Sequence, residues 1–319
     1  MLPTGAKGVF PIAPTPFLAD GRIDGASVDR MIDHYVAAGA DGCTVLGIMG
    51  EAPKLDLDEA IGFVARCVAR APKLPFIVGV SAPGFAAMRA LSHAARAKGA
   101  AAVMIAPPPS LRTDEQIVTY YAQAAEAIGP DVPFVIQDYP LTLGVVMTPE
   151  VIRRIITGNP SCVMLKHEDW PGLEKISALR RFEKEGKLRR VPILTGNGGL
   201  FLDFEMERGA DGAMTGYAFP EMLIDVVRLS REGKRDEAHD LFDAHLPLVR
   251  YEQQQGVGLA VRKYVMMRRG IISTDAQRKP AMSLSPAAKA EVDYLLRRLA
   301  RHDARAARPI SGSLEPAAV

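Results

Sequence analysis

Apolar runs alternate with amphipathic stretches along most of the chain. Behind the first run, residues Val28, Met31, Ile32, Tyr35 and Val36 recur at the spacing of one helix face. The same order, an apolar run and then a helical pattern, recurs as far as residue 216. The runs span residues 8–13, 42–47, 75–81, 101–108, 132–140, 162–168, 191–198 and 211–216. They predict eight strands, each followed by a helix.

Local signals mark some of the helix ends. Asp56 with Glu59 three residues later resembles a capping box, which predicts a helix start. Gly-Ala-Asp-Gly occurs at 39–42 and again at 209–212, where a glycine suits the left-handed residue that follows a helix. Both motifs agree with the alternation of helices and strands.

The pattern predicts an α/β fold. Several runs are apolar at consecutive positions, which is typical of parallel strands covered on both faces. Eight such β/α units favour a closed (β/α)8 TIM barrel. A doubly wound open sheet is the alternative; it ranks second because the sequence has neither GxGxxG after the first run nor GxxxxGK[ST].

The chain divides into a barrel and a tail of helices. We predict the barrel over residues 1–225 and a C-terminal helical extension over 226–302, since helical patterns continue at 235–248, 259–269 and 286–299. Residues 303–319 are rich in Ala, Pro and Ser, and we expect a flexible tail there.

Composition narrows the functional classes. The 319 residues are 48% hydrophobic and 24% charged, as in an ordinary globular protein. Lys and Arg total 39 against 37 Asp and Glu, which gives no support to nucleic acid or a membrane as partner. Three cysteines without a CxxC do not form a disulfide framework or a structural zinc site. With no signal-peptide pattern and no apolar run of eighteen residues, the expected location is cytoplasmic.

Candidate active-site residues stand at the C-terminal ends of the predicted strands, where barrel active sites lie. The second strand is followed by Gly47, Ile48, Met49, Gly50 and Glu51, the fifth ends with Gln137 and Tyr139, the sixth with Lys166, the seventh precedes Asn197, and the eighth ends with Thr215 and Gly216. The loop after the second strand has two interpretations. Its backbone N–H groups bind a carboxylate, or it is a plain turn between strand and helix. Gln137 and Tyr139 share one side of their strand and are candidates for binding a substrate hydroxyl.

Lys166 is the strongest candidate. It closes an apolar strand, where a charged amine is costly unless it is paired or neutral. A neutral amine attacks carbonyls, and the resulting iminium withdraws electrons from the neighbouring carbon. The alternative is a structural lysine paired with Glu51, Asp138 or Glu168. The neighbouring His167, Glu168 and Asp169 alternate between strand faces, so we predict no metal site.

These strand ends together resemble the dihydrodipicolinate synthase/N-acetylneuraminate lyase family of class I aldolase barrels. The resemblance runs from about Gly8 to Leu299 and includes residues 8–11, 14–17, 50–51, 163–166, Pro140 and the Gly-Ala-Asp-Gly-Ala stretch at 209–213. It implies that Lys166 forms a Schiff base with a 2-keto acid, without a cofactor. It also implies a homotetramer.

Departures from the family motifs bear on the substrate. Ile48 and Met49 replace two threonines that bind the keto-acid carboxylate, and Gln137 replaces the catalytic tyrosine. Thr142 replaces the arginine that synthases use for their second substrate, and Pro109 stands where a neighbouring subunit's tyrosine would complete the proton relay. A dihydrodipicolinate synthase is therefore disfavoured.

One branch of the family fits better. Gln-Asp-Tyr-Pro at 137–140, the stretch 212–220 and the stretch 246–252 resemble the 2-keto-3-deoxy-sugar-acid (L-2-keto-3-deoxyarabonate) dehydratases. Three hypotheses remain: a Schiff-base lyase that dehydrates a 2-keto-3-deoxy sugar acid, an aldolase or synthase that acts on a C–C bond, and a non-catalytic keto-acid binder. With the tyrosine missing, a bound water, Tyr139 or the substrate carboxylate is left as general acid/base.

Overall fold

The computed structural model describes residues 5–307, in which eight parallel strands form one sheet in the order β1-β8-β7-β6-β5-β4-β3-β2. The strands are β1 (Gly8–Val9), β2 (Cys43–Val45), β3 (Phe76–Gly79), β4 (Ala102–Ile105), β5 (Phe134–Asp138), β6 (Cys162–His167), β7 (Ile193–Thr195) and β8 (Gly212–Ala213). Ile12 and Thr44 pair beside β1 and β2, so the sheet closes on itself. The predicted (β/α)8 barrel is confirmed.

Helices follow the strands in turn. They are α1 (Gly25–Ala38), α2 (Leu57–Arg70), α3 (Phe85–Ala97), α4 (Asp114–Ile128), α5 (Pro140–Leu143), α6 (Pro149–Gly158), α7 (Leu173–Lys184), α8 (Leu202–Glu207), α9 (Pro220–Arg231), α10 (Arg235–Glu252), α11 (Gly258–Arg268) and α12 (Pro286–Leu299). The strands are shorter than the apolar runs that predicted them, because several apolar residues flanking a strand lie in buried loops. The short helix α5 was not predicted.

The predicted helix ends are largely correct. Asp56 and Glu59 form the capping box of α2, with Glu59 N–H donating to the Asp56 carboxylate at 2.8 Å. Gly39 follows α1 in the left-handed conformation, with φ of 85°. The helix face predicted for α1 is buried except at Val36, which is 50% exposed, because it lies at the edge of that face.

The core has two layers, set by alternation along the strands. Phe10, Met104 and Met164 belong to a cluster that fills the barrel interior. A larger cluster, which includes Leu165, fills the space between strands and helices. In β6 the alternation therefore places Lys166 on the same side as Met164, toward the interior, and His167 on the side of the helices.

The predicted domain boundary at residue 225 falls inside α9, the eighth barrel helix, and α10 to α12 form the extension. Residues 304–307 of the predicted tail form a 3-10 turn. Asp303 before it is only 7% exposed and accepts a hydrogen bond from His245 of α10 at 2.9 Å. Residues 308–319 lie outside the described residues. No helix among residues 5–307 has the length and apolar character needed to cross a membrane.

A buried polar cluster lies behind β6, between the barrel and helices α7 and α8. Asp138 accepts from Lys175 at 2.8 Å, and His167 lies 3.4 Å from the same carboxylate. Glu205 of α8 is 7% exposed, and burial raises the pKa of its carboxyl to about 7, although His167 and Thr195 act in the opposite direction. Glu205 is therefore neutral in the folded protein under mildly acidic conditions.

Glu205→Gln removes this titration. A folded pKa above the unfolded value of 4.5 stabilises the folded wild type at low pH, and this contribution is lost as pH rises through about 7. We expect the stability of Glu205→Gln relative to wild type to increase by about 3 kcal/mol between pH 4.5 and pH 8. Denaturant unfolding across that range measures it.

Glu207→Gln on the same helix is the matched control. Hydrogen bonds from Arg235 and His239 lower the pKa of Glu207, so its replacement does not produce the same increase. A pH-independent difference between Glu205→Gln and wild type would show that Glu205 does not titrate in this way.

Candidate active site

A cavity of about 820 Å³ opens at the C-terminal ends of the strands. Of the residues predicted to form a site, eight line it: Ile48, Met49, Gln137, Tyr139, Lys166, Asn197, Thr215 and Gly216. Parallel strands in a barrel end at one rim, so loops distant in sequence meet there. The structure thus brings most of the predicted residues together.

Lys166 lies in the wall of this cavity. Its residue is 4% exposed, and its Nζ lies 2.7 Å from Oε1 of Glu168. The lysine is therefore paired, as the structural alternative expected, but the pair itself faces the cavity, because both residues line it. Asp138, another possible partner, is bonded to Lys175 instead.

Besides Lys166, two hydrogen-bond donors hold the Glu168 carboxylate. Gln137 Nε2 donates to Oε1 at 2.7 Å, and the backbone N–H of Asn197 donates to Oε2 at 3.1 Å. The adjacent strands bring these groups together, since Gln137 is paired in register with Lys166. The carboxylate is thus fixed beside the amine with both oxygens oriented, which suits a group that exchanges protons with Lys166 or its adduct.

Glu168 was not among the predicted site residues; it was considered only as a partner of Lys166 or a member of a metal cluster. The signal that identifies it is simple alternation, because residues 166 and 168 lie two positions apart and share a side. Gln137, predicted as a hydroxyl ligand, lines the cavity and donates a hydrogen bond to Glu168.

The loop after β2 is a 3-10 turn at Ile48–Gly50. The Gly50 N–H donates to the Gly47 carbonyl at 2.9 Å, and the Gly50 carbonyl accepts from Thr15 Oγ1 at 2.6 Å. The first N–H groups of such a turn have no acceptor within it. Ile48 and Met49 are therefore the residues of this loop whose N–H groups suit a ligand carboxylate.

The prediction that Glu51 binds substrate is not supported by its surroundings. Its buried carboxylate lies 2.5 Å from Nζ of Lys263 and 2.8 Å from Nζ of Lys54. Lys263 is also fully buried, on α11. Glu51 has a left-handed backbone, with φ of 57°, and ends the turn. The ion pair between Glu51 and Lys263 therefore links this loop to the helical extension.

Tyr139 lies beside the start of α5 and lines the cavity. Burial raises the pKa of its phenol, so the hydroxyl stays protonated at neutral pH and can donate a hydrogen bond. Thr215 and Gly216 line the cavity at the end of β8. These groups, with Asn197, surround the Lys166–Glu168 pair.

The extension also contributes to the cavity, which the sequence did not indicate. Arg262 of α11 and Glu252 of α10 line it and form a buried ion pair, and Arg262 also donates to the Gly216 carbonyl. A Cβ at Gly216 would overlap the Arg262 guanidinium, so any other residue there would require the arginine to move. Arg262 was not among the predicted site residues.

Among residues 5–307, no group of three His, Cys, Asp or Glu side chains has the geometry of a metal site. The residues at the rim thus offer an amine, a carboxylate, a phenol, amides and backbone N–H groups. These suit covalent and acid–base chemistry on a small molecule that has a carbonyl and a carboxylate.

Known proteins are similar to this chain over almost its whole length. An L-2-keto-3-deoxyarabonate dehydratase from Azospirillum brasilense is 31% identical, over 92% of this chain and 94% of its own. A 4-hydroxy-tetrahydrodipicolinate synthase from Persephonella marina is 28% identical, over 88% and 94%. The crystal structure of a dihydrodipicolinate synthase from Rhodopseudomonas palustris is 67% identical and superposes with a TM-score of 0.92, over 92% and 98%.

The sequence also matches the Dihydrodipicolinate synthetase family over residues 5–299, which includes the barrel and most of the extension. The resemblance stated from the strand ends is thereby confirmed. The chain belongs to the dihydrodipicolinate synthetase family, whose members are lyases of the class I aldolase superfamily.

Proposed function

We propose that the protein is a Schiff-base lyase that dehydrates a 2-keto-3-deoxy sugar acid, with Lys166 as the nucleophile. The observation that carries this proposal is the position of Lys166, a nearly buried amine facing the cavity, 2.7 Å from a carboxylate. The similarity to a keto-deoxy-sugar-acid dehydratase supports the choice of substrate.

The reaction begins with a proton transfer. Lys166 must lose a proton to attack, and Glu168 is in hydrogen-bond contact to accept it. The neutral amine then adds to the C2 carbonyl, and loss of that oxygen as water leaves an iminium on Lys166. The N–H groups of Ile48 and Met49 are suited to bind the C1 carboxylate meanwhile.

Elimination follows from the iminium. The positive nitrogen acidifies the C3 hydrogens, and a base removes one to give an enamine. The enamine electrons expel the C4 hydroxyl, which takes a proton and leaves as water. Hydrolysis of the resulting iminium restores Lys166 and releases the unsaturated keto acid, so the net change is the loss of one water. No cofactor takes part in these steps.

Glu168 is the general acid/base in this scheme. It fills the role left open by the missing tyrosine, because it is closest to Lys166 and can move a proton from C3 to the departing hydroxyl. Gln137 and the Asn197 N–H keep the carboxylate in position. Tyr139 is placed to donate to a substrate oxygen.

C–C bond cleavage or formation is the second candidate, because the same iminium supports it and the Rhodopseudomonas palustris relative is named a synthase. Product analysis separates the two: a dehydrated keto acid indicates elimination, whereas pyruvate and an aldehyde indicate cleavage. Adduct formation on Lys166 without turnover of any 2-keto acid would instead favour the non-catalytic binder.

Borohydride reduction in the presence of pyruvate tests the nucleophile. We expect mass spectrometry to find one reduced pyruvate adduct, on the peptide that contains Lys166, because borohydride traps the iminium irreversibly. Lys166→Ala removes the adduct, while Lys98→Ala, at an exposed lysine directly after α3, retains it. An unmodified Lys166 peptide in the wild type contradicts the proposal.

Glu168→Gln separates binding from elimination. The amide keeps the shape of the side chain but cannot accept a proton, so we expect kcat for dehydration to fall by about 10²–10⁴-fold. The pyruvate adduct still forms on Lys166, though more slowly. The measurement is product formation from a panel of 2-keto-3-deoxy acids.

Glu174→Gln on α7, whose carboxylate pairs with Arg208 at the surface, is the matched control and retains activity. Wild-type rates in Glu168→Gln would exclude Glu168 as the acid/base and leave Tyr139 or a bound water.

A further inference from the structure

Carboxamide side chains form a large part of the polar cavity wall. They belong to Gln137, Asn197, Gln253, Gln254, Gln255 and Gln277. The charged residues at the cavity are each paired with an opposite charge: Lys54 with Glu51, Lys166 with Glu168, and Arg262 with Glu252. An amide offers both a donor and an acceptor without net charge, which matches hydroxyl groups better than a second carboxylate.

Three of these amides already donate a hydrogen bond within the protein. Gln137 Nε2 donates to Glu168, Gln254 Nε2 donates to the Tyr251 carbonyl at 2.9 Å, and Gln277 Nε2 donates to the Met282 carbonyl at 2.8 Å. Gln255 is exposed at the cavity mouth, whereas Gln253 is half-buried. Gln253 is therefore the glutamine of the extension best placed to meet a bound substrate.

A short series of contacts links Gln253 to the Lys166–Glu168 pair. Glu168 contacts Lys166, and its other oxygen accepts from the Asn197 N–H. The next residue, Gly198, has φ of 69°, and a Cβ there would overlap the Gln253 amide. The amide thus packs directly on the loop that holds the catalytic carboxylate.

The backbone before Gln253 is fixed as well. Glu252, the last residue of α10, is buried, pairs with Arg262 and accepts from the Ala218 N–H at 3.3 Å. An amide held by such neighbours loses little conformational freedom when it binds a ligand.

We propose that Gln253 determines specificity by hydrogen-bonding a hydroxyl on the substrate tail, beyond the carbons that react. This inference rests on the proposed function for the chemistry at Lys166 and for the substrate class, and it adds the residue that selects a hydroxylated tail over an apolar one. The helical extension thereby recognises the substrate tail, while residues at the strand ends carry out the reaction.

Gln253→Met tests the inference, since methionine has a similar length but neither donates nor accepts strongly. We expect kcat/KM for a 2-keto-3-deoxy pentonate to fall about tenfold, mainly through KM, because one neutral hydrogen bond is lost. Borohydride trapping of pyruvate, which has no hydroxylated tail, is unchanged, and this also shows that the variant is folded. Gln123→Met, on an exposed part of α4, is the matched control.

A binding measurement makes the test independent of turnover. In the Lys166→Ala background, calorimetry with the same pentonate should show about tenfold weaker binding when Gln253→Met is added. Equal affinity with and without Gln253→Met, or an equal loss for pyruvate and the pentonate, overturns the inference. Absence of any wild-type pyruvate adduct overturns the proposed function instead.

Discussion

The contact between Lys166 and Glu168 is the constraint on which the site depends. Burying two charges costs several kcal/mol each in solvation, and mutual attraction offsets this only when other hydrogen bonds complete the arrangement. Gln137 and the Asn197 N–H supply those bonds to the carboxylate. The arrangement requires the register that pairs Gln137 of β5 with Lys166 of β6, and it requires the loop after β7 to bring the Asn197 N–H to Glu168. The geometry of the site therefore depends on the correct pairing of these strands in the barrel. In the proposed mechanism, Glu168 is the acceptor for the proton that leaves the amine.

The helical extension belongs to the site as much as the barrel does. Glu252 ends α10, Gln253 directly follows it and Arg262 lies on α11, yet all three line the same cavity as the strand ends. The strand ends hold Lys166 and the groups around it. Substitutions in the extension can therefore alter the substrate preference without moving these groups.

Much of the fold was predictable because it depends on local periodicity. Apolar runs and helix patterns located the strands and helices, and the rule that active sites lie at strand ends selected Lys166. Side-chain partners were harder. Glu168 was overlooked although alternation places it beside Lys166, and Glu51 was expected at the cavity but pairs with Lys263 of α11, a contact that no local pattern indicates. Arg262 and Gln253 lie almost a hundred residues beyond Lys166, and no sequence pattern indicates which face of a distant helix will reach the cavity.

The buried bond between Glu51 and Lys263 has an evolutionary consequence. It joins the loop that follows the second strand to a helix more than two hundred residues later, and both side chains are shut away from water. Replacing Glu51 alone leaves the buried Lys263 ammonium with only the Thr15 and Ala276 carbonyls as partners, in a medium that solvates it poorly, which costs far more than the contact itself contributes. Glu51 is therefore expected to change only when Lys263 changes with it. Chimeras of distant homologues should therefore take the loop after β2 and helix α11 from the same parent protein.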